Sequence, residues 1–96
     1  MPKAYLVSVY QAISDPEKVA AYAKLAAPAV AAAGGRVLAR GVAAEAYESG
    51  VKERVVLVEF DSLDQARALY HSAEYEKARE KLGAGAVRDM RIVEGL

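Results

Sequence analysis

Apolar positions along the chain switch between the two-residue period of a strand and the wider period of a helix. The first stretch, AYLVSVYQA (4–12), has the period of a strand. Its two faces carry Tyr5, Val7 and Val9 on one side and Leu6, Ser8 and Tyr10 on the other. The last stretch, VRDMRIVE (87–94), follows a glycine-rich loop (83–86) and predicts another strand.

A helix is predicted after the first strand, with recognisable signals at both ends. Asp15 can cap it with a proline at the first helical position, or Ser14 and Glu17 can form a capping box. Pro28 removes a backbone hydrogen bond and predicts a kink, and two glycines (34–35) end the helix. Apolar residues recur at helical spacing at Val19, Tyr22, Ala26 and Val30.

The middle of the chain predicts a β-hairpin. RVLARGVAAEAY (36–47) and VKERVVLVEF (51–60) both have strand character, and ESG (48–50) separates them. A turn this short favours glycine at a positive φ, which Gly50 can supply.

A second helical region follows the hairpin and is interrupted once. Ser62 and Gln65 have the spacing of a capping box, and Ser72 can cap a further short helix. The apolar positions are Leu63, Ala66, Leu69 and Tyr70 before the interruption, and Tyr75, Ala78 and Leu82 after it.

The resulting order is β-α-β-β-α-β in one α+β domain spanning 1–96. Strands joined by helices on either side of a hairpin form the split β-α-β arrangement, with a four-stranded antiparallel sheet and the helices on one face. Only one face of the sheet is therefore covered.

The uncovered face is apolar. The third strand places Val55 and Leu57 on one side and Val56, Val58 and Phe60 on the other, so neither side alternates to polar residues as a solvated face does. Exposing six such side chains forgoes about 10–18 kcal/mol, against a total domain stability of about 5–15 kcal/mol. This predicts a symmetric homodimer, sheet to sheet through the open face.

Composition excludes several partners and kinds of site. The formal net charge is zero, which gives no basis for nucleic-acid binding. No apolar run is long enough to span a membrane, and the first residues lack a signal peptide, so we expect a cytoplasmic protein with no membrane partner. The chain has no cysteine, which excludes disulfides and thiolate zinc sites. One histidine disfavours a metal site within one chain, although a carboxylate-rich site stays open, and we expect neither a metal nor a cofactor.

Four blocks along the chain resemble the domain-of-unknown-function family numbered 1330. They are GGRVLARG (34–41), VVLVEF (55–60), YHSAEY (70–75) and DMRIVEG (89–95), and Pro28 also fits. Many relatives have proline where this chain has Ala73. The resemblance covers nearly the whole chain.

The resemblance implies membership of the dimeric α/β-barrel superfamily of ferredoxin-like folds. It implies no activity, because the family has no established one. Other members of the superfamily include cofactor-free monooxygenases, lactone isomerases and haem enzymes, and their activities transfer only as fold-level analogy.

The candidate catalytic residue is His71, which lies where the second helix is interrupted. An imidazole is able to act as a general base or to form a hydrogen bond to a ligand; the alternative is a partly buried ring bonded to a carbonyl. Arg40 is a candidate ligand-binding residue, expected on the same face as Arg36 and Leu38. It would hold a carboxylate or an enolate oxygen, or else form an ion pair with an acidic residue.

Three further residues are candidates for ligand binding. Tyr22 and Tyr75 lie on the inner stripes of their helices, where they either line a cavity or pack in the core. Asp89 begins the last strand and is either a ligand-binding or a pairing residue.

The leading hypothesis is a homodimer that binds a small organic molecule between sheet and helices, with cofactor-free proton transfer or oxygenation as its reaction. The alternatives are a non-catalytic ligand-binding or regulatory module and a purely structural dimer.

Overall fold

A computed structural model describes residues 2–96 and shows four strands and three helices. Their bounds are β1 (Ala4–Ile13), α1 (Pro16–Ala32), β2 (Arg36–Val42), β3 (Arg54–Phe60), α2 (Leu63–Tyr70), α3 (Ala73–Leu82) and β4 (Ala86–Glu94). All neighbouring strands are antiparallel, in the order β2-β3-β1-β4. Within residues 2–96, no helix has the length and apolar character needed to cross a membrane.

The core lies on one face of this sheet. Ala4 and Leu6 of β1 are buried, and their cross-strand partners Phe60 and Val58 in β3 are buried with them. The helices cover this face with Ala26, Ala29, Val30, Ala66, Leu69, Tyr75 and Ala78. The two-residue period of β1 and the one-sided helix layer are therefore confirmed.

Side-chain caps begin all three helices. The Asp15 carboxylate accepts hydrogen bonds from two backbone N–H groups in the first turn of α1, so this residue is the cap rather than a Ser14–Glu17 box. Ser62 caps α2 and Ser72 caps α3, each accepting from the backbone N–H three residues later at 3.2 Å. α1 continues through Pro28 to Ala32.

A β-bulge at Leu38 corrects the predicted facing of β2. Val37 pairs with Val58 and Ala39 pairs with the next residue of β3, so Leu38 is an extra residue in the ladder. Because the extra residue reverses the alternation, Arg36 lies on the open face and Arg40 on the helix side. The expectation that both arginines share one face is wrong.

The predicted tight hairpin is also wrong. The β2–β3 ladder ends at the Val42–Arg54 pair, and residues 43–53 form a loop. Alanine and glutamate, which dominate this segment, are poor strand formers. At its tip the positive φ belongs to Glu48 (55°), not to Gly50.

Gly35, between α1 and β2, lies against the core. A Cβ placed there would come within 2.7 Å of the Val30 side chain and 2.8 Å of the Phe60 ring. We expect Gly35→Ala to lower the free energy of unfolding by about 1–3 kcal/mol through overpacking. Urea denaturation followed by circular dichroism measures this.

The double mutant Gly35→Ala/Phe60→Leu separates overpacking from a backbone effect. Leucine removes the edge of the ring that the added methyl group meets, so the two losses should not add. Strict additivity would show that the close approach to Phe60 is not the cause.

Candidate functional site

A cavity of about 60 Å³ lies between α1 and the helix side of the sheet. Its lining is mostly apolar and comes from all four strands, α1 and α3: Leu6, Ser8, Tyr10, Tyr22, Ala23, Ala26, Ala27, Val30, Val37, Arg40, Arg54, Val56, Val58, Tyr75 and Met90. The volume is several times the 10–15 Å³ or so that one water molecule needs.

The space exists because α1 presents small side chains to the sheet. Ala23, Ala26 and Ala27 recur at three- and four-residue intervals and therefore lie on one face of the helix. Larger residues at these positions would fill the volume.

Two arginines stand on the sheet wall of the cavity. Arg40 pairs with Val56 and Arg54 pairs with Val42, so the two are diagonal neighbours on the helix side of β2 and β3. Within residues 2–96 neither forms an ion pair, and no aspartate or glutamate lines the cavity. The site is consequently positive and apolar together.

Two tyrosines meet at the helix side of the cavity. The hydroxyl oxygens of Tyr22 and Tyr75 are 2.5 Å apart, and their rings pack edge to face with centroids 5.9 Å apart. Burial, together with the nearby Tyr75, raises the pKa of Tyr22 well above its ordinary value, although Arg88 opposes this. Tyr22 therefore remains a neutral phenol.

Arg88 of β4 lies behind these tyrosines. Its guanidinium carbon is 4.7 Å from the centre of the Tyr22 ring and 5.6 Å from that of Tyr10. Burial lowers the pKa of Arg88, but the neighbouring tyrosines Tyr22 and Tyr75 raise it by more, so the group stays charged. Arg88 thus adds a third positive charge beside the cavity.

The structure brings together three of the five candidate residues. Arg40, Tyr22 and Tyr75 all line the cavity, whereas His71 and Asp89 do not. His71 is the C-cap of α2, exposed at the surface with its ring against Tyr70. Asp89 lies on the open face of the sheet, where it accepts two hydrogen bonds from Arg91 at 3.0 and 3.1 Å.

Several cavity residues were missed from the sequence. Arg54 shares the face of Val56 and Val58 by simple alternation, so the strand pattern alone was sufficient to place it. Ser8 was assigned to its face but not considered as a site residue. The position of Arg88 beside Tyr10 depends on the β1–β4 register, which the sequence does not reveal.

Solved structures with the same fold share little sequence with this chain. A protein of unknown function from Rhodopseudomonas palustris matches with a TM-score of 0.76 and 16% identity, covering 99% of this chain and 83% of its own. SnoaB, a cofactor-independent oxygenase from Streptomyces nogalater, matches with a TM-score of 0.69 and 11% identity, covering 100% and 95%. A dimeric ferredoxin-like protein of unknown function from Thermobifida fusca matches with a TM-score of 0.66 and 16% identity, covering 98% and 90%.

These similarities establish the ferredoxin-like fold and, at such low identity, nothing more specific. No curated protein matches the sequence. The profile of one family, described as a domain of unknown function (DUF1330), matches residues 3–96. With almost its entire length matched, the chain belongs to the DUF1330 family.

Proposed function

We propose that the protein is a homodimer that binds a small organic anion in the cavity between α1 and the sheet. The observation that carries this proposal is the pair Arg40 and Arg54, which stand without an ion-pair partner within residues 2–96 on the wall of an apolar cavity.

An anionic ligand is inferred from the two arginines that lack a carboxylate partner among the described residues. Arg40 is exposed and Arg54 is half-buried, so both can reach a ligand from the cavity wall. A carboxylate can accept two parallel hydrogen bonds from one guanidinium.

On the open face of the sheet both arginines have such carboxylate partners: Arg36 bonds to Glu59 at 3.0 Å and to Asp61 at 2.9 Å, and Arg91 bonds to Asp89. Arg88, beside the cavity, lies against the rings of Tyr10 and Tyr22 instead. Arg40 and Arg54 lack a carboxylate partner within residues 2–96, so a ligand carboxylate is the group that fits.

The open sheet face supports the dimer. Val7, Val9, Val55 and Leu57 are adjacent across β1 and β3 on this face and remain partly exposed in one chain. Its charged residues already pair within the chain, as Arg36 with Glu59 and Arg91 with Asp89. A second copy can cover such a face without leaving a charge unpaired. A structural neighbour from Thermobifida fusca is also dimeric.

Cofactor-free turnover is the second candidate, favoured by the donors in the cavity and by the fold shared with SnoaB. Arg40, Arg54 and the tyrosine hydroxyls are able to stabilise an enolate oxygen of a bound carbonyl compound. A reaction of this kind also needs a base to remove the proton. The cavity lining contains no imidazole or carboxylate, and for this reason we place binding before catalysis.

Titration with simple carboxylates tests the proposal. Acetate, butyrate and benzoate are added to ¹⁵N-labelled protein, and we expect amide shifts confined to the residues that line the cavity. Arg40→Gln and Arg54→Gln should each weaken binding by about tenfold or more, since a charge-assisted hydrogen bond contributes about 1.5–3 kcal/mol.

Arg67→Gln is the matched control, because this arginine is exposed on α2, away from the cavity lining. Its affinity for the carboxylates should equal that of the wild type. Equal weakening by all three substitutions would show a general charge effect and contradict a site at the cavity. Absence of any shift at millimolar carboxylate would also contradict it.

A further inference from the structure

Ser8 is a buried hydroxyl in an otherwise apolar part of β1. The residue is 5% exposed, lines the cavity, and its Oγ has no hydrogen-bond partner within residues 2–96. Its cross-strand neighbours on this face are Val56 and Met90, neither of which offers a polar side-chain group. Burying an unpaired hydroxyl destabilises a fold, so this position is explained better by recognition than by packing.

The tyrosine pair supplies a second polar group to the same cavity. In the contact between Tyr22 and Tyr75 one hydroxyl donates its proton to the other, and the accepting hydroxyl keeps its own proton. That proton is available to an oxygen of a ligand. The cavity consequently offers neutral donors at Ser8 and at the tyrosine pair, in addition to its arginines.

The neutral and the charged groups stand apart along the sheet. Arg40, Val56 and Ser8 form one cross-strand row over β2, β3 and β1. Two strand spacings separate the Cα atoms of Arg40 and Ser8, which is roughly 10 Å. Val56 forms the apolar floor between them, and the alanines of α1 lie above it.

We propose that the ligand is a small oxo or hydroxy carboxylic acid. Its carboxylate lies at Arg40 and Arg54, and its carbonyl or hydroxyl oxygen accepts hydrogen bonds from Ser8 and from the Tyr22–Tyr75 pair. A short carbon chain over Val56 connects the two ends. This inference rests on the proposed anion site and specifies the second polar group of its ligand.

Three acids of equal chain length test the inference: pentanoate, 2-oxopentanoate and 4-oxopentanoate. Isothermal titration of the wild type should show that at least one oxo acid binds about tenfold more tightly than pentanoate, the effect of one additional buried hydrogen bond. Ser8→Ala should remove most of this preference and leave pentanoate binding unchanged. Tyr75→Phe should reduce the same preference.

Ser14→Ala is the control. The Ser14 hydroxyl donates a hydrogen bond to the Ala84 carbonyl outside the cavity, so its removal should leave the preference for the oxo acid unchanged. Ser8→Ala should also melt at the same temperature as the wild type or higher, because it removes an unpaired buried hydroxyl. Equal affinity for all three acids, or equal weakening of all three by Ser8→Ala, overturns the inference and leaves the anion site standing. If none of the acids binds, the proposed function fails and the inference fails with it.

Discussion

Replacing Leu57 by glutamate should dissociate the proposed dimer into folded monomers. Leu57 lies in β3 on the open face, between Val7 of β1 and Ala39 of β2. In a symmetric dimer the substitution buries two carboxylates, one from each copy. Each costs several kcal/mol if it has no partner, so we expect the dimer Kd to rise at least about 1,000-fold, at tenfold per 1.4 kcal/mol.

Sedimentation equilibrium over a dilution series of about 0.01–100 µM measures the dimer Kd of both proteins, because a nanomolar Kd raised about 1,000-fold becomes roughly 1 µM. Leu25→Glu is the matched control, because Leu25 is partly exposed on α1 in the helix layer and 37% accessible. That variant should remain dimeric. A wild type that sediments as a folded monomer at every concentration, or a Leu57→Glu variant with the Kd of the wild type, would contradict burial of the open face.

Filling the cavity with Ala23→Leu should abolish ligand binding without destabilising the protein. Ala23 lines the cavity from α1, and leucine adds three carbon atoms to a space of about 60 Å³. A ligand and this side chain cannot occupy the same volume. Burying the added carbons should keep stability unchanged or raise it, by up to about 2 kcal/mol at 0.8 kcal/mol per carbon.

Loss of ligand binding together with unchanged or increased stability distinguishes a ligand site from a packing defect. Carboxylate affinity is measured by titration and stability by urea denaturation of the same preparation. Ala20→Leu on the exposed side of α1 is the control and should change neither quantity. Retained binding in Ala23→Leu would place the ligand elsewhere, and a large loss of stability would show that the cavity cannot accept the added side chain.

The elements that follow from local pattern were predictable from the sequence. The alternation of β1 and β3 and the caps at Asp15, Ser62 and Ser72 all depend on residues within a few positions of one another. The apolar open face was also visible, because both sides of β3 carry large aliphatic side chains.

The errors share a different cause, which is pairing between distant segments. The bulge at Leu38 and the loop 43–53 depend on how β2 registers against β3, and no local motif in β2 signals the extra residue. Which way His71 faces also depends on tertiary structure. An interruption between helices marks a change of direction, but not which side of the turn faces the core.

A contact that only the tertiary structure reveals supports two of the ligand-binding candidates. Tyr22 and Tyr75 were equally consistent with core packing, and they are far apart in sequence. Their hydroxyls meet at one cavity that also holds Arg40. The sequence was sufficient to name these three residues as candidates. It did not show that they meet at one cavity, or that the other candidates lie outside it.

The extra residue at Leu38 makes the proposed anion site depend on correct pairing of the edge strand β2. Beyond the bulge, Ala39 faces the open side and Arg40 faces the cavity. If this end of β2 slipped by one position, the two would exchange faces. A positive charge would then enter the surface between copies while the cavity lost one of its cations. One slip in the register of β2 would therefore weaken the proposed anion site and the proposed dimer together.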